Sequence, residues 1–407
     1  MKILYFHQHF STPKGSVGIR SYAMSRKLIE AGHSVTMVCG SYRGGETGLN
    51  SNFLKGKREG YVDEVYIIEF DLSYANSDSY FKRSSTFVKF AFWGIREALT
   101  QKYDILFATS TPLTAGIPGI FARWLRKKTF VFEVRDLWPE LPREMGVIKN
   151  RLVLFMLTVL ERATYRSAHK IVGLSPGIVE GVIKCGIRRE NVAMIPNGCD
   201  ISIFSKKLKL WRPSNILPSD LMVIYSGTHG LANGLDAVLD AASVLKKRGR
   251  IDIKIVLIGQ GKLKPALESR AKLEDLSDVI FFQPVDKDTL AGLLAGADLG
   301  LQILANVPAF YHGTSPNKFF DYIAAGLPVL NNYPGWLAYL IEEHQCGIVV
   351  APDDSEDFAS ALERAADSRA ELKRMGSNAY DLAITQFNRD KLSGQFVEWL
   401  TKATNEI

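Results

Sequence analysis

Short β-rich runs alternate with helix-like stretches along the whole chain, and the pattern occurs twice. In the first half the runs are residues 2–6, 35–38, 105–108, 130–134 and 170–172; in the second they are 223–225, 253–258, 279–282, 299–301 and 328–330. Between the first two runs of the second half, Leu235, Val238, Leu239, Ala242 and Leu245 recur at the spacing of one helical face. Strands that alternate with helices predict parallel sheets covered by helices on both faces. The doubled pattern predicts an α/β chain of two doubly wound, Rossmann-like domains, and 407 residues leave room for both. The boundary is expected at 205/206, where "NGCD" gives way to the polar, Pro-containing "SKKLKLWRPSNILPSD". That makes 1–205 the first domain and 206–385 the second. Residues 386–407 form a last helix, whose stripe of Leu392, Phe396 and Leu400 would pack back across the boundary.

Open parallel sheets bind ligands outside the carboxyl ends of their strands, and two such sheets would face each other across a cleft. Four loops should line it. The first, "STPKGSVGIRSYAMSRKLIEAGH", offers Gly15, Ser16 and Gly18, with Arg20 opening a helix. Its G-x-x-G lacks the spacing of a dinucleotide fingerprint, and a plain flexible turn accounts for it equally well. The second, "YSGTHGLANGLD", brings Gly227, Thr228, His229, Gly230, Asn233 and Gly234 to a strand's end, more glycine than packing explains. The third, "IGQGKLKPAL", holds Gly259, Gly261 and Lys262, and reads either as a ligand loop or as a tight turn into a helix. The fourth is "GTSPNKFFDYIAAGLPV". Ser315 reads as an N-cap with Pro316 at the first helical position, followed by Asn317 and Lys318. A helix that opens with bare N–H groups beside a lysine suits an anion.

The charge is unevenly divided. Residues 1–205 hold 28 Lys+Arg against 18 Asp+Glu, and residues 206–407 hold 22 against 25. A basic half suggests an anionic partner, either nucleic acid or a membrane surface. No nucleic-acid module is recognisable, and nucleic-acid binding leaves the Gly-rich loops unexplained. Two segments suit a membrane interface. "YFKRSSTFVKFAFWGIREALTQK" mixes Phe81, Phe87, Phe90, Phe92 and Trp93 with Lys82, Arg83, Lys89 and Arg96, the pattern of an interfacial helix. "KNRLVLFMLTVLERATYR" reads better as a buried core helix. The longest apolar run, 152–160, is too short to span a bilayer. Cys39, Cys185, Cys199 and Cys346 are scattered without metal or redox spacing. With no secretory signal at the start, these features point to a cytosolic chain with reduced thiols.

These motifs, in this order and spacing, resemble the GT-B-fold glycosyltransferases of glycosyltransferase family 4. The segments that carry the resemblance are "PKGSVGIRSYAMSRKLIEAGHSVTMV", "VFEVRDLWPE", "IPNGCD", "GTHGLANGLD", "IGQGKLK" and "SPNKFFDYIAAGLPV". The subgroup resembled is the FucNAc-transferase-like enzymes of bacterial O-antigen and capsule clusters. The resemblance implies transfer of a sugar from a nucleotide sugar, UDP-linked, with retention of configuration. The acceptor would be a polyprenyl-diphosphate-linked sugar at the anionic inner face of the cytoplasmic membrane. The donor diphosphate would lie on the helix start at Ser315, Pro316, Asn317 and Lys318, with no metal and no other cofactor. Asp321 would reach the ribose. The chain also departs from the family. Gly313 stands where the family often has Glu, which implies a deoxy or amino-deoxy donor sugar. Thr228, His229 and Asn233 stand near positions where many members have Arg and Lys. Arg135, followed by Asp136, stands where a catalytic-region His is usual, and arginine cannot serve as a base.

Glu133, Arg135, Asp136 and Glu140 form a charged cluster at a strand's end. His7 and His9 follow the first strand, and Asn197-Gly198 reads as a hinge turn. Two further readings compete with the transferase. A GT-B-like nucleotide-sugar 2-epimerase would need carboxylates and histidines around the sugar and no basic face. A catalytically silent GT-B subunit would explain the replaced His and Glu but not the Ser-Pro-Asn-Lys helix start.

Overall fold

A computed structural model describes every residue except 16, 76–77, 205–209 and 406–407, together with the side chain of 405. The chain divides into two compact units, Met1–Pro196 with His312–Ser315 and Asp390–Ile407, and Asn197–Tyr311 with Pro316–Arg389. The boundary expected at 205/206 lies outside the described residues; the division falls earlier, at Pro196/Asn197.

The first unit holds strands β1 (Lys2–Phe6), β2 (Ser34–Tyr42), β3 (Lys57–Val62), β4 (Val65–Tyr74), β5 (Ile105–Thr109), β6 (Thr129–Val134), β7 (Lys170–Gly173) and β8 (Val192–Met194). They form one sheet in the order β3-β4-β2-β1-β5-β6-β7-β8, parallel except for the β3–β4 hairpin. The second unit holds β9 (Leu221–Ser226), β10 (Ile253–Ile258), β11 (Val279–Phe282), β12 (Leu299–Gln302), β13 (Val329–Asn331) and β14 (Gly347–Val349). Its sheet is parallel, in the order β11-β10-β9-β12-β13-β14. Nine of the ten β-rich runs lie within strands, and the tenth, 328–330, begins one residue before β13. The central strands β5, β6 and β7 are buried along their whole length, as continuous apolar strands covered on both faces must be.

Four strands were not legible. Edge strands β8 and β14 are three residues long. β3 carries Lys57, Arg58, Glu59 and Gly60, and joins β4 through Asp63 and Glu64, both at positive φ (+46° and +64°). This is a two-residue turn with left-handed backbone but without the glycine that usually announces it. β4 then enters the sheet beside β2, burying Val65, Ile67, Ile68 and Phe70.

The helix Arg389–Asn405 buries Leu392, Phe396 and Leu400, with Phe396 edge-on to Phe107 of β5 at 4.9 Å. Three further helices of the first unit lie side by side: Tyr80–Thr100, Ile117–Arg126 and Arg151–Ser167. Arg126 Nη1 donates to the carbonyls of Ala98 (3.0 Å) and Gln101 (2.7 Å), and Trp124 Nε1 donates to Ser167 Oγ (2.9 Å). Ser79 and Asn150 cap the first and third of these helices through their side-chain oxygens.

Two expectations about these helices are corrected. Phe90 is buried, Trp93 packs edge-on to Phe70 at 5.2 Å and Phe87 stacks on Tyr74 at 5.4 Å, so the outward apolar residues of the first helix are Tyr80, Phe81, Val88 and Phe92. The third helix, expected in the core, exposes Leu152, Phe155, Met156 and Val159. Its apolar positions exceed what one inward stripe can bury.

Candidate active site

In the first unit β1, β5 and β6 are neighbours, so the residues just after them gather at one sheet edge. Arg135 Nη1 lies 3.2 Å from His7 Nε2. A guanidinium has no acceptor, so Nε2 accepts and the imidazole carries its proton on Nδ1. Burial, then the charges of Arg135 and His9, hold His7 well below the usual histidine range, so it stays neutral. The Arg135 N–H donates to Ser110 Oγ (2.8 Å), and Thr111 Oγ1 donates to Asp136 Oδ2 (3.3 Å). Burial raises the Asp136 carboxyl, with Arg135 and the Thr111 bond opposing it. Thr111 is held at φ +85°. A β-branched residue rarely adopts this conformation, and such strain gathers where geometry serves a site.

Behind this edge the expected role of Arg20 is corrected. Arg20 is fully buried. Its Nε and Nη2 donate to Glu133 Oε2 (2.9 and 2.8 Å), and its Nη groups also donate to the carbonyls of Pro196 (2.6 Å) and Ile195 (2.8 Å). Thr109 Oγ1 donates to the other Glu133 oxygen (2.8 Å). Burial pushes the Glu133 carboxyl up, but Arg20 and Arg135 outweigh it and hold it below the usual range. The guanidinium's charge is answered inside the fold. Gly15 sits in a turn bonded to the Thr12 carbonyl (3.1 Å), and any Cβ there would collide with Ser11 Oγ, so packing accounts for it. Ser16 lies outside the described residues. His9 packs among Tyr74, Tyr42 and Phe87, at 4.5, 5.0 and 6.3 Å between ring centres. Burial drives it down to about 3. Glu140 opens a short helix on the surface.

In the second unit the helix Asn317–Ala324 starts at the carboxyl ends of β9 and β12. Tyr322 anchors it: its hydroxyl accepts from the Ser226 N–H (2.9 Å) and donates to the Leu301 carbonyl (3.3 Å). The N-cap is Pro316, not Ser315, and Asn317 is the first helical residue; no side chain caps the helix. The opening N–H groups of an α-helix have no acceptor within it.

Lys318 Nζ donates to Tyr225 Oη (3.0 Å) and Asn233 Oδ1 (3.1 Å), and sits 4.3 Å from the Tyr225 ring centre. Tyr225 donates in turn to the Thr228 carbonyl (2.9 Å). Both partners of the lysine are neutral, and desolvation pushes it down to about 7. Gly227 lies directly against it, since a Cβ there would come 3.1 Å from Lys318 Cε. Thr228 is exposed, and Gly230 and Asn233 close a turn through the Asn233 N–H (3.0 Å).

The remaining expected residues of this domain have other partners. His229 is fully buried between Tyr225 and Phe281 and driven down to about 4, chiefly by burial, so its ring packs within the loop. Gly259 and Gly261 press backbone to backbone on Gly227 and His229; a Cβ on either would meet a carbonyl oxygen at 1.8 or 2.3 Å. Lys262 points to solvent, while the buried Lys264 binds the carbonyls of Gly259 (2.9 Å) and Phe282 (2.7 Å). Asp321 faces away from Lys318 and pairs with Lys287 (3.6 Å), which also binds Asp200, itself held by Arg389. Burial raises its carboxyl against the pull of Lys287.

Sequence reasoning missed Tyr225, Lys264 and Tyr322. Tyr225 carried the only usable signal, a hydroxylated aromatic at a strand's end just before a glycine-rich loop.

Residues 15–198 match the family described as glycosyl transferase 4-like domain, and residues 220–368 match glycosyl transferases group 1. The chain is 25% identical over 341 residues to the putative colanic acid biosynthesis glycosyl transferase WcaI of Escherichia coli strain K12, covering 80% of this chain and 82% of that protein. The crystal structure of WaaG, a glycosyltransferase involved in lipopolysaccharide biosynthesis, superposes with TM-score 0.69 and 18% identity over 98% of this chain and 99% of that one. Anabaena HepE in complex with UDP-glucose does so with TM-score 0.68 and 16% identity over 99% and 100%. Two parallel-sheet domains of this build define the GT-B fold. The chain is a GT-B glycosyltransferase, a 4-like domain followed by a group 1 domain.

Proposed function

We propose that the enzyme moves a sugar, with retention of configuration, from a UDP-sugar to a polyprenyl-diphosphate-linked sugar during synthesis of a bacterial surface polysaccharide. The observation that carries this reading is Lys318. Its hydrogen-bond partners among the described residues are neutral, and it lies one residue inside a helix start with no side-chain cap. A diphosphate there would meet the lysine, the opening N–H groups and the positive end of the helix. The same groups would stabilise the departing UDP, so the reading assigns no step to a metal. The names of WcaI and WaaG support a surface-polysaccharide role, and the HepE complex supports a UDP-sugar donor.

The reading places the nucleotide on the second domain and the reacting sugar with Arg135 and Asp136 of the first. Asp136 is held close to a guanidinium and a threonine hydroxyl, a set that can bind sugar hydroxyls. The donor is assigned as a deoxy or amino-deoxy sugar, the FucNAc-transferase-like case. A Cβ at Gly313 would meet nothing within 4 Å, so packing does not force the missing carboxylate there.

The test is a panel of nucleotide sugars assayed for nucleoside-diphosphate release with and without a lipid-diphosphate sugar. Release from a UDP-deoxy or UDP-amino-deoxy sugar only when acceptor is present is the expected result. Interconversion of the donor without acceptor would instead mark an epimerase, and an inert protein a silent subunit.

A further inference from the structure

Lys318 stands in a cradle whose parts come from separate elements of the second domain. Tyr225, on β9, is fully buried, and its hydroxyl gives its proton to the Thr228 carbonyl (2.9 Å). The phenol oxygen keeps its lone pairs and accepts from Lys318 Nζ at 3.0 Å. Asn233 is fixed by its loop. Its N–H closes a turn on the Gly230 carbonyl (3.0 Å), and its two neighbours in the chain lie against the segment after β12. The Ala305 N–H donates to the Ala232 carbonyl (3.0 Å), and a Cβ on Gly234 would come 2.7 Å from Ala305 Cα. The Asn233 side-chain oxygen then accepts from Nζ at 3.1 Å. Gly227 leaves the space that the lysine fills, since a Cβ there would come 3.1 Å from Lys318 Cε and from the Tyr225 hydroxyl.

An ammonium has three N–H groups. Among the described residues two are directed at these oxygens, which leaves the third for a ligand. Both oxygens are neutral, so they orient the charge without cancelling it. A carboxylate at the same distance would bind the ammonium more strongly and compete with an incoming anion; Glu133 answers Arg20 in that way. Holding a flexible four-carbon side chain in place also removes part of the ordering that a ligand would otherwise have to impose.

We propose that Tyr225 and Asn233 are positioning residues for the donor: they hold the Lys318 ammonium at one point beside the helix start and, being neutral, leave its charge to the diphosphate. The inference deepens the nucleotide-sugar reading and rests on it. Position 233 then matters for its lack of charge as well as for its turn, because aspartate would close the same turn and supply a counter-charge.

The test is titration calorimetry of the whole chain with UDP from about pH 6 to 9. Asn233→Asp keeps the size of the side chain and should weaken UDP roughly 10- to 150-fold, the worth of one charge-assisted contact. Its remaining affinity should stay level from about pH 7 to 9, because a carboxylate beside the lysine keeps it charged through that range. The thermal midpoint should not fall, since the new carboxylate has a cation to meet. Tyr225→Phe keeps the ring and removes the acceptor, and should weaken UDP roughly 3- to 10-fold. Its affinity should begin to fall at lower pH than the wild type's, because the ammonium has lost a bond that favours the charged form.

The Tyr225 phenol, raised well above its ordinary value by burial, stays protonated throughout. His229, driven down to about 4, the buried Tyr322 phenol, Lys264 on its two carbonyls and Asp321 with Lys287 are common to wild type and variants. A moved profile therefore belongs to Lys318. The inference is overturned if Asn233→Asp binds UDP as the wild type does, with the same pH profile, because the side chain then only closes its turn. A Tyr225→Phe profile that coincides with the wild type's overturns it too. A wild type that ignores UDP, or a Lys318→Met variant that binds it equally well, sinks the donor reading and this inference with it.

Discussion

The two domains share a parallel sheet and a glycine-containing first loop, yet they treat the cation nearest that loop in opposite ways. In the first, Arg20 is sealed under the sheet edge, its charge met by Glu133 and two carbonyls. In the second, Lys318 is held by a phenol and an amide, with no carboxylate partner among the described residues. A cation with its counter-charge built in holds the fold together. One left without a counter-charge is destabilising until an anion arrives, and only that kind can hold a substrate. The lesson extends to the outer faces. The first domain pairs its exposed charges one to one, as in Arg26 with Glu64 and Lys82 with Asp78, while the second ties several into one network, as in Arg270 with Asp236, Asp240 and Glu274.

The sharpest way to break the contrast is to remove Glu133. Glu133→Ala should destabilise the first domain by about 3–5 kcal/mol, because it strands a buried guanidinium. Chemical denaturation followed by a first-domain probe reads the loss, and a near-neutral result would mean that Arg20 is satisfied without its carboxylate.

Lys318→Met should do the reverse, weakening binding of a nucleoside diphosphate by roughly 10- to 150-fold without lowering the thermal midpoint. The lysine's pKa in the fold, about 7, lies below its ordinary 10.5, so the unfolded chain binds the extra proton between those values. Charging this lysine therefore costs the free protein stability, fully so below pH 7. A bound diphosphate needs the charged form, so wild-type affinity should fall as pH rises from about 7 to 9. The Lys318→Met variant should show no such fall by titration calorimetry. A pH-independent wild type would remove the lysine from the site.

Glu161 sharpens the comparison within the first domain, being a buried carboxyl whose desolvation outweighs the pull of Arg162. Burial raises it from 4.5 to about 7, with Glu140 adding to the rise and a Tyr165 hydrogen bond opposing it. The fold therefore binds more protons than the unfolded chain between those values, and stability is lost as pH rises through that window. Glu161→Gln should raise stability at pH 8 by roughly 1–2 kcal/mol and leave it unchanged at pH 4. Equal midpoints at both pH values would count against the burial argument.

The smallest effect is expected at Arg270. Despite its three carboxylate partners it is partly exposed, and Arg270→Ala should cost about 1 kcal/mol or less, shrinking further in salt. A loss as large as that of Glu133→Ala would erase the distinction between buried and surface pairing.

Much of the fold was legible because burial on both faces forces parallel strands to be short apolar runs, and ten such runs stand out between amphipathic helices. The hairpin of β3 and β4 was not, since an edge strand can be charged and its Asp63-Glu64 turn lacks the usual glycine. Of the candidate site, the Pro316-Asn317-Lys318 helix start was legible from local rules alone, because capping and helix polarity act within a few residues. The roles of Arg20, His229 and Asp321 were not. Each was chosen for a residue type that suits a ligand; Arg20 and Asp321 pair with charges from distant parts of the chain, and the His229 ring is packed against Phe281.

The order of apolar and polar residues by itself determined that this chain forms two wound parallel sheets, and where their glycine-rich loops fall, because periodicity and turn chemistry are local properties. Only the tertiary structure decided which charges are free to act. Whether Arg20 meets Glu133, Lys318 meets Tyr225 and Asn233, or Leu152 and Phe155 face outward depends on which strand ends and helices become neighbours. Desolvation and counter-charge are set by those neighbours in space, and neither can be read from residue type.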